Sequence, residues 1–199
     1  MSLDSFPLDD GTDIRTVIPG VDDVAYFQTS GLGLKLQPAL DAAYAWMRFQ
    51  AKGAALPENQ ATMQAEFEAA RGKVAAALGA DPDEVALAEN TTIGINVVAN
   101  GIDWQRGDQV ILTDEEHPGN LIPWYNAANR YGIEIKCLPL AHKGDEQLLQ
   151  TLEAMLSRRT RLIALSHVSR RSGRRLPVRS FIDIAHEHDI PVMLDGAQA

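Results

Sequence analysis

Val192-Met193-Leu194-Asp195-Gly196-Ala197-Gln198-Ala199 is a short apolar run that gives way to an acid, a glycine and a glutamine. A continuously apolar run of this kind reads as a strand buried on both faces. An acid at the carboxyl end of such a strand points into the crevice where open α/β sheets hold ligands. The same form recurs upstream in Val85-Ala86-Leu87-Ala88, Val110-Ile111-Leu112, Ile133 to Leu138 and Leu162-Ile163-Ala164-Leu165. Helical patterns lie between the runs: Leu148, Leu149, Leu152, Met155 and Leu156 after Asp145, and Val178, Phe181, Ile182 and Ala185 after Pro177. Gly107-Asp108, Gly132 and Gly144-Asp145 punctuate the units as turns. The alternation predicts an α/β domain of five strands, mainly parallel, with helices on both faces.

The front of the chain reads differently. Leu40, Tyr44 and Met47 mark one helix, and Met63, Phe67, Ala70, Val74 and Leu78 a second that ends near Gly79. Residues 1–34 are irregular, with glycines at 20, 31 and 33. No repeat or low-complexity tract interrupts the 199 residues. The final strand, expected over Ile190 to Leu194, has no following helix to cover it. An uncovered apolar strand templates association, so the chain is expected to be the front part of a longer protein.

Bulk properties narrow the classes. A hydrophobic share of 45% and a charged share of 23% are ordinary for a soluble globular protein. The net charge of −9 argues against nucleic acid or an anionic membrane surface as partner. The single cysteine, Cys137, cannot form an internal disulfide, and its alternation with Ile133 and Ile135 predicts a packed core thiol. Met1-Ser2-Leu3-Asp4-Ser5 lacks the blocks of a signal peptide, and no apolar run approaches membrane-spanning length. The expected location is cytoplasmic.

Four constellations follow the strands. Glu89-Asn90-Thr91-Thr92 opens an apolar helix reaching about Val98 or Ala99, and Thr91 or Thr92 is expected to cap it. Its free N–H groups and a hydroxyl would hold a dianionic phosphate, although a threonine pair at a helix start is also a common cap. Asp114-Glu115-Glu116-His117-Pro118-Gly119-Asn120 places a histidine where it could stack on a flat ring or move protons; the bland alternative is a solvated loop histidine. Asp195 could keep a pyridine nitrogen protonated, and Gln198 could donate to a phenolic oxygen, or Asp195 could merely cap a helix. Ser166-His167-Val168-Ser169-Arg170-Arg171-Ser172-Gly173-Arg174-Arg175-Leu176-Pro177 carries four arginines. One of them could clamp a carboxylate or phosphate, while most are expected to be solvated; His167 reads as a satisfied buried histidine.

Glu89 to Asn100, Glu116 to Trp124, Ser166 to Val178 and Asp195 to Ala199 occur in the order seen in the class V aminotransferases. From about Tyr26 onward the chain resembles this family of fold-type I pyridoxal-phosphate enzymes, which includes cysteine desulfurases and isopenicillin-N-epimerase-like proteins. The resemblance implies pyridoxal 5'-phosphate as cofactor, with Thr92 and possibly Thr91 on its phosphate. It implies that His117 stacks on the ring, Asp195 pairs with its nitrogen and Gln198 contacts its phenolic oxygen. It implies an incomplete large domain over 35–199, preceded by the irregular segment 1–34 near the active site, where Ser30-Gly31-Leu32-Gly33 resembles the family's active-site cover. A small amino-acid substrate and a homodimeric full-length protein are implied as well. The chain departs from many desulfurases at Arg170, where they carry asparagine. The family's Schiff-base lysine lies beyond the aspartate, whereas Lys35, Lys52, Lys73, Lys136 and Lys143 all precede Asp195 and read as solvated. The expected function is that of an aminotransferase, epimerase, desulfurase or lyase, with this chain alone inactive. The alternative is a non-catalytic remnant. A dinucleotide-binding fold is set aside because no G-x-G-x-x-G follows the first strand.

Overall fold

The computed structural model describes residues 11–21, 24–141 and 143–199. The reading of residues 1–5, and the first ten residues of the irregular segment, lie outside them. The chain divides into two compact units, Met1–Leu87 and Ala88–Ala199.

In the first unit a short 3-10 turn, Ile14–Val17, precedes the helices α1 (Gln37–Gln50) and α2 (Pro57–Leu78). Both helices carry proline in their first turn, where its missing N–H costs nothing. Gly79 stops α2 with φ +67°; its N–H reaches Ala76 O, and that of Ala80 reaches Ala75 O. Those two bonds satisfy carbonyls that the helix end leaves open. Val85 to Ala88, expected as a strand, has no strand partner and runs as irregular chain. Four apolar residues satisfy the pattern of a buried strand, but backbone pairing depends on neighbours that the pattern does not specify.

The second unit alternates α3 (Thr91–Gly101), β1 (Gln109–Thr113), α4 (Ile122–Tyr131), β2 (Glu134–Leu138), α5 (Asp145–Met155), β3 (Thr160–Ser166), α6 (Val178–His186) and β4 (Val192–Asp195). All strand pairs are parallel, in the order β2-β1-β3-β4. The two-residue period of a strand sends alternate side chains to opposite faces. Ile111, Ile163 and Leu165 pack with Leu148 and Leu152 of α5 and Phe181 and Ala185 of α6. Val110, Leu112, Leu162 and Ala164 pack on the other face with Ile95 and Ala99 of α3 and Trp124 and Ala127 of α4. This is the expected α/β arrangement with both faces covered.

Cys137 departs from its expectation. It lies on the edge strand β2, opposite Leu112, and is exposed. Its strand neighbours Ile133 and Ile135 pack into the α3/α4 cluster, but that cover does not extend to the strand's end. Partial burial, then the charges of Asp114 and Glu116, push its thiol above the usual value.

Candidate active site

The carboxyl ends of β1, β3 and β4 form one edge of the sheet, and α3 begins beside it. The cap of α3 is Asn90, whose Oδ1 accepts from Ile93 N–H at 3.0 Å. Thr91 and Thr92 are the first two helical residues, which corrects the expectation that one of them caps the helix. An asparagine side chain reaches the third helical N–H from the capping position, and a threonine one residue later is already inside the helix. The Thr91 and Thr92 hydroxyls are therefore not spent on capping, and the N–H groups of the first turn have no intrahelical acceptor. The helix runs to Gly101, slightly beyond the expected end.

His117 leads into a 3-10 turn, Pro118–Asn120, and its Nδ1 accepts from Gly119 N–H at 2.9 Å. That bond fixes the ring's orientation and places the proton of the neutral ring on Nε2. The turn packs against the start of α3. A side chain at Gly119 would bring Cβ within 2.5 Å of Thr92 Oγ1 and 2.9 Å of His117 Nδ1. Thr92 and His117 thus flank one glycine, with no room for a methyl group between them.

Asp195 ends β4 one period beyond Met193, which packs in the α3/α4 cluster, so the carboxylate lies on the α3 face. It is only 6% exposed. Its Oδ1 accepts from Ala197 N–H at 3.0 Å, and its carbonyl from His167 N–H at 3.0 Å. Gln198 follows, half-buried, within a turn closed by Ala199 N–H on Gly196 O. His167 is half-buried rather than fully buried.

A hydrogen-bond network ties these pieces together. Glu116 Oε1 accepts from Thr113 Oγ1 at 2.6 Å and Ser166 N–H at 3.1 Å, while Oε2 accepts from Asn120 Nδ2 and Ser166 Oγ, both at 2.7 Å. Ser166 is the register partner of Asp195. Asn120, completely buried, receives Trp124 Nε1–H on Oδ1 at 3.1 Å. The neighbouring acids have separate tasks. Asp114 Oδ1 accepts from Leu140 N–H at 2.9 Å, and Glu115 Oε2 accepts from the hydroxyls of Ser169 and Ser172. The serine bonds hold the Glu115 carboxyl below its ordinary value. The acidic run is a three-way clamp on the loops leaving β1, β2 and β3. The Thr113, Glu116 and Asn120 spacing was a local signal for part of it, but Ser166, fifty residues on, was not.

In the arginine loop, Arg174 donates to Leu140 O at 3.1 Å and to Asp145 Oδ1 at 2.6 Å, so it braces the start of α5. Arg170, Arg171 and Arg175 are exposed. Lys136 and Lys143 are half-buried, not solvated as expected, because each stem lies along α5. Lys136 Nζ donates to Met155 O at 3.1 Å and Lys143 Nζ to Thr151 Oγ1 at 3.2 Å. Lys136 pairs with Ile111 on the α5/α6 face, opposite the face that carries Asp195. Among the described residues, no group of His, Cys, Asp and Glu is placed to hold a metal ion, and no helix is long and apolar enough to cross a membrane.

Comparison with known proteins adds an independent line. A cysteine desulfurase of Enterobacter sp. (strain 638) is 36% identical over 187 residues, which cover 88% of this chain and 45% of that protein. A mutant of C-DES, with glycine covalently linked to its PLP cofactor, superposes with a TM-score of 0.86 at 31% identity over 94% of this chain and 50% of that one. The cystine C-S lyase C-DES with its product cysteine persulfide gives 0.85 at 30% identity, covering 92% and 49%. The chain spans about half the length of these relatives. The family model for aminotransferase class-V matches residues 25–199, and the chain belongs to that family.

Proposed function

We propose that this chain carries the coenzyme-binding edge of a pyridoxal-phosphate enzyme that cleaves the carbon–sulfur bond of cysteine or cystine. The observation that carries the reading is the junction at Gly119, where Thr92 and His117 meet with no space for a Cβ, on the sheet edge that also ends in the buried carboxylate of Asp195. The donor set suits the group. Two unpaired N–H groups and two threonine hydroxyls at the start of α3 match an anionic phosphate, and a buried carboxylate matches a basic ring nitrogen. The relatives named cysteine desulfurase and cystine C-S lyase support the sulfur substrate. A homodimeric full-length protein with an amino-acid substrate belongs to the same proposal.

Pyridoxal phosphate, when bound, supplies an electron sink conjugated to the substrate's α-carbon. Thr92, with Thr91, would hold the phosphate. His117, its plane fixed by Gly119 N–H, covers one ring face. Asp195 Oδ1 is occupied by Ala197 N–H, which leaves Oδ2 to hold a proton on the ring nitrogen. Burial keeps water from competing for that carboxylate. Gln198 would contact the phenolic oxygen.

Titration of the chain with pyridoxal 5'-phosphate, followed by induced circular dichroism in the coenzyme's absorption band, tests the reading. Saturable binding is expected, weakened about tenfold or more in Asp195→Asn and in Thr92→Ala, as loss of one charge-assisted bond of about 1.5–3 kcal/mol requires. Unchanged binding in both variants would overturn the proposal. A second reading, a non-catalytic chain, draws on Lys136 and Lys143, whose amines are engaged along α5. Borohydride treatment of the loaded chain with mass-spectrometric mapping tests whether any lysine of this chain serves the coenzyme. The chain alone is expected to show no stoichiometric label on any one lysine, and a label abolished by Asp195→Ala would establish a lysine-competent site.

A further inference from the structure

Glu116 stands between the two groups that face the proposed ring, yet it has no place in that reading. It directly precedes His117, and its carboxylate holds both the N–H and the hydroxyl of Ser166, the register partner of Asp195. The same carboxylate takes Asn120 Nδ2, and Asn120 N–H donates to His117 O at 2.8 Å. A continuous set of bonds therefore runs from the His117 backbone through Glu116 to the strand position beside Asp195. We propose that Glu116 is a positioning residue that sets the separation of His117 from Asp195, and with it the slot for the coenzyme ring. The inference rests on the coenzyme reading above.

Satisfiability explains why a carboxylate is required. Asn120 cannot turn its amide over, because its Oδ1 is held by Trp124 Nε1–H and the residue is fully buried. Its Nδ2 therefore demands an acceptor on one Glu116 oxygen, while Ser166 N–H demands one on the other. Glutamine offers a single acceptor oxygen, so either orientation turns an NH2 group toward a donor. A buried donor left in that state is expensive, and the local answer is for β3's end and the His117 turn to move apart. Such a movement changes where the ring's two protein faces lie without removing any group that touches the ring. This distinguishes positioning from direct contact.

The test uses the 199-residue chain and pyridoxal 5'-phosphate, with affinity, induced circular dichroism and urea unfolding measured on each variant. Glu116→Gln is expected to bind about tenfold more weakly, the size usual for a residue that orients a ligand-holding group. Its induced dichroism at saturation should be altered, because the ring's orientation has changed. Trp124→Phe is the stability control: it removes the indole donor to Asn120 and lowers the unfolding midpoint, but keeps affinity and dichroism. Ser166→Ala, which deletes one bond to Glu116 and suits the case where Glu116→Gln does not fold, should shift the dichroism in the same sense. Parent-like affinity and dichroism in Glu116→Gln, or in Ser166→Ala where it stands in, would overturn the inference while Asp195→Asn still weakens binding. If Trp124→Phe changes both readouts as much as Glu116→Gln, the role is structural and the inference also fails. If Asp195→Asn and Thr92→Ala bind like the parent, the coenzyme reading itself has failed and the inference falls with it.

Discussion

The helices α1 and α5 carry the same apolar periodicity and meet opposite fates. In α5, Leu148 and Leu152 are completely buried against the sheet; in α1, Tyr44 and Met47 are more than half exposed. The contrast extends to the two units. Ala75 is the one buried hydrophobic residue described before Ala88, whereas Ala88–Ala199 buries side chains on both faces of its sheet. Within the first unit Phe27, Leu32, Phe67 and Leu78 remain exposed, and α2 shows little segregation of apolar from polar residues. Period 3.6 specifies a helix because backbone bonds are local; burial requires a second surface, and that surface is not encoded in the period.

The largest effect that can break this comparison is a pair of matched truncations. Phe181 is fully buried between α6 and the sheet, and Phe67 is 50% exposed on α2. Phe181→Ala is expected to cost about 3–5 kcal/mol, and Phe67→Ala within about 0.5 kcal/mol. Urea unfolding of the two variants measures both. A cost at Phe67 comparable to that at Phe181 would mean that the helical unit is as tightly packed as the sheet, and the contrast would collapse.

The same division governs what the amino-acid order revealed. The runs at Val110 and Leu162 became β1 and β3 because a strand covered on both sides must be apolar at every position, whereas the run at Val192 became the edge strand β4 with Leu194 exposed. Val85 to Ala88 met that condition and still formed no strand, since apolarity permits burial but does not supply a pairing partner. Cys137 alternated correctly and emerged exposed, because alternation assigns a face and not how far the cover extends. At the candidate site, the placement of His117 and Asp195 at the carboxyl ends of strands was legible in the sequence. Asn90 was overlooked as the cap in favour of the two threonines beside it. Glu116 drew no reading of its own, because its decisive partner lies fifty residues away across a strand pairing. Long-range hydrogen bonds of this type leave no local trace.

A smaller effect sharpens the comparison inside the packed unit, at Gly119, where an added Cβ would meet a neighbouring side chain closely. Gly119→Ala would put Cβ at 2.5 Å from Thr92 Oγ1, a hydroxyl on a short β-branched stem with few alternative rotamers. The hydroxyl must turn away or the turn must shift, either of which displaces the group proposed to bind phosphate. Affinity for pyridoxal 5'-phosphate is expected to fall by about tenfold, with little loss of folding stability because Thr92 is exposed. Gly72, in α2, has nothing within 4 Å of an added Cβ. Gly72→Ala is accordingly expected to stabilise α2 by about 0.5–1 kcal/mol and to leave coenzyme affinity unchanged. Isothermal titration of both variants checks the pair; equal losses in the two would show that neither glycine reports on a specific junction.

The smallest effect is electrostatic, and it lies where the packed unit meets solvent. Hydrogen bonds from Ser169 and then Ser172 hold the Glu115 carboxyl below the ordinary 4.5; burial opposes them, and Arg171 and Arg174 reinforce them. In the unfolded chain the carboxyl returns to its ordinary value, so over the interval between the two values the unfolded state binds more protons. The stability that the charged form contributes is therefore fully present above about 4.5 and is lost as the pH falls through the lower, folded value. Solvent screening at this partly exposed site limits it to under about 1 kcal/mol. Glutamine mimics the protonated acid, so Glu115→Gln isolates the charge-dependent part. Urea midpoints of parent and variant should differ slightly at neutral pH and converge in acid. A difference that persists or grows below the folded value would show that the serine bonds, rather than the charge they receive, hold the loop after β3 in place.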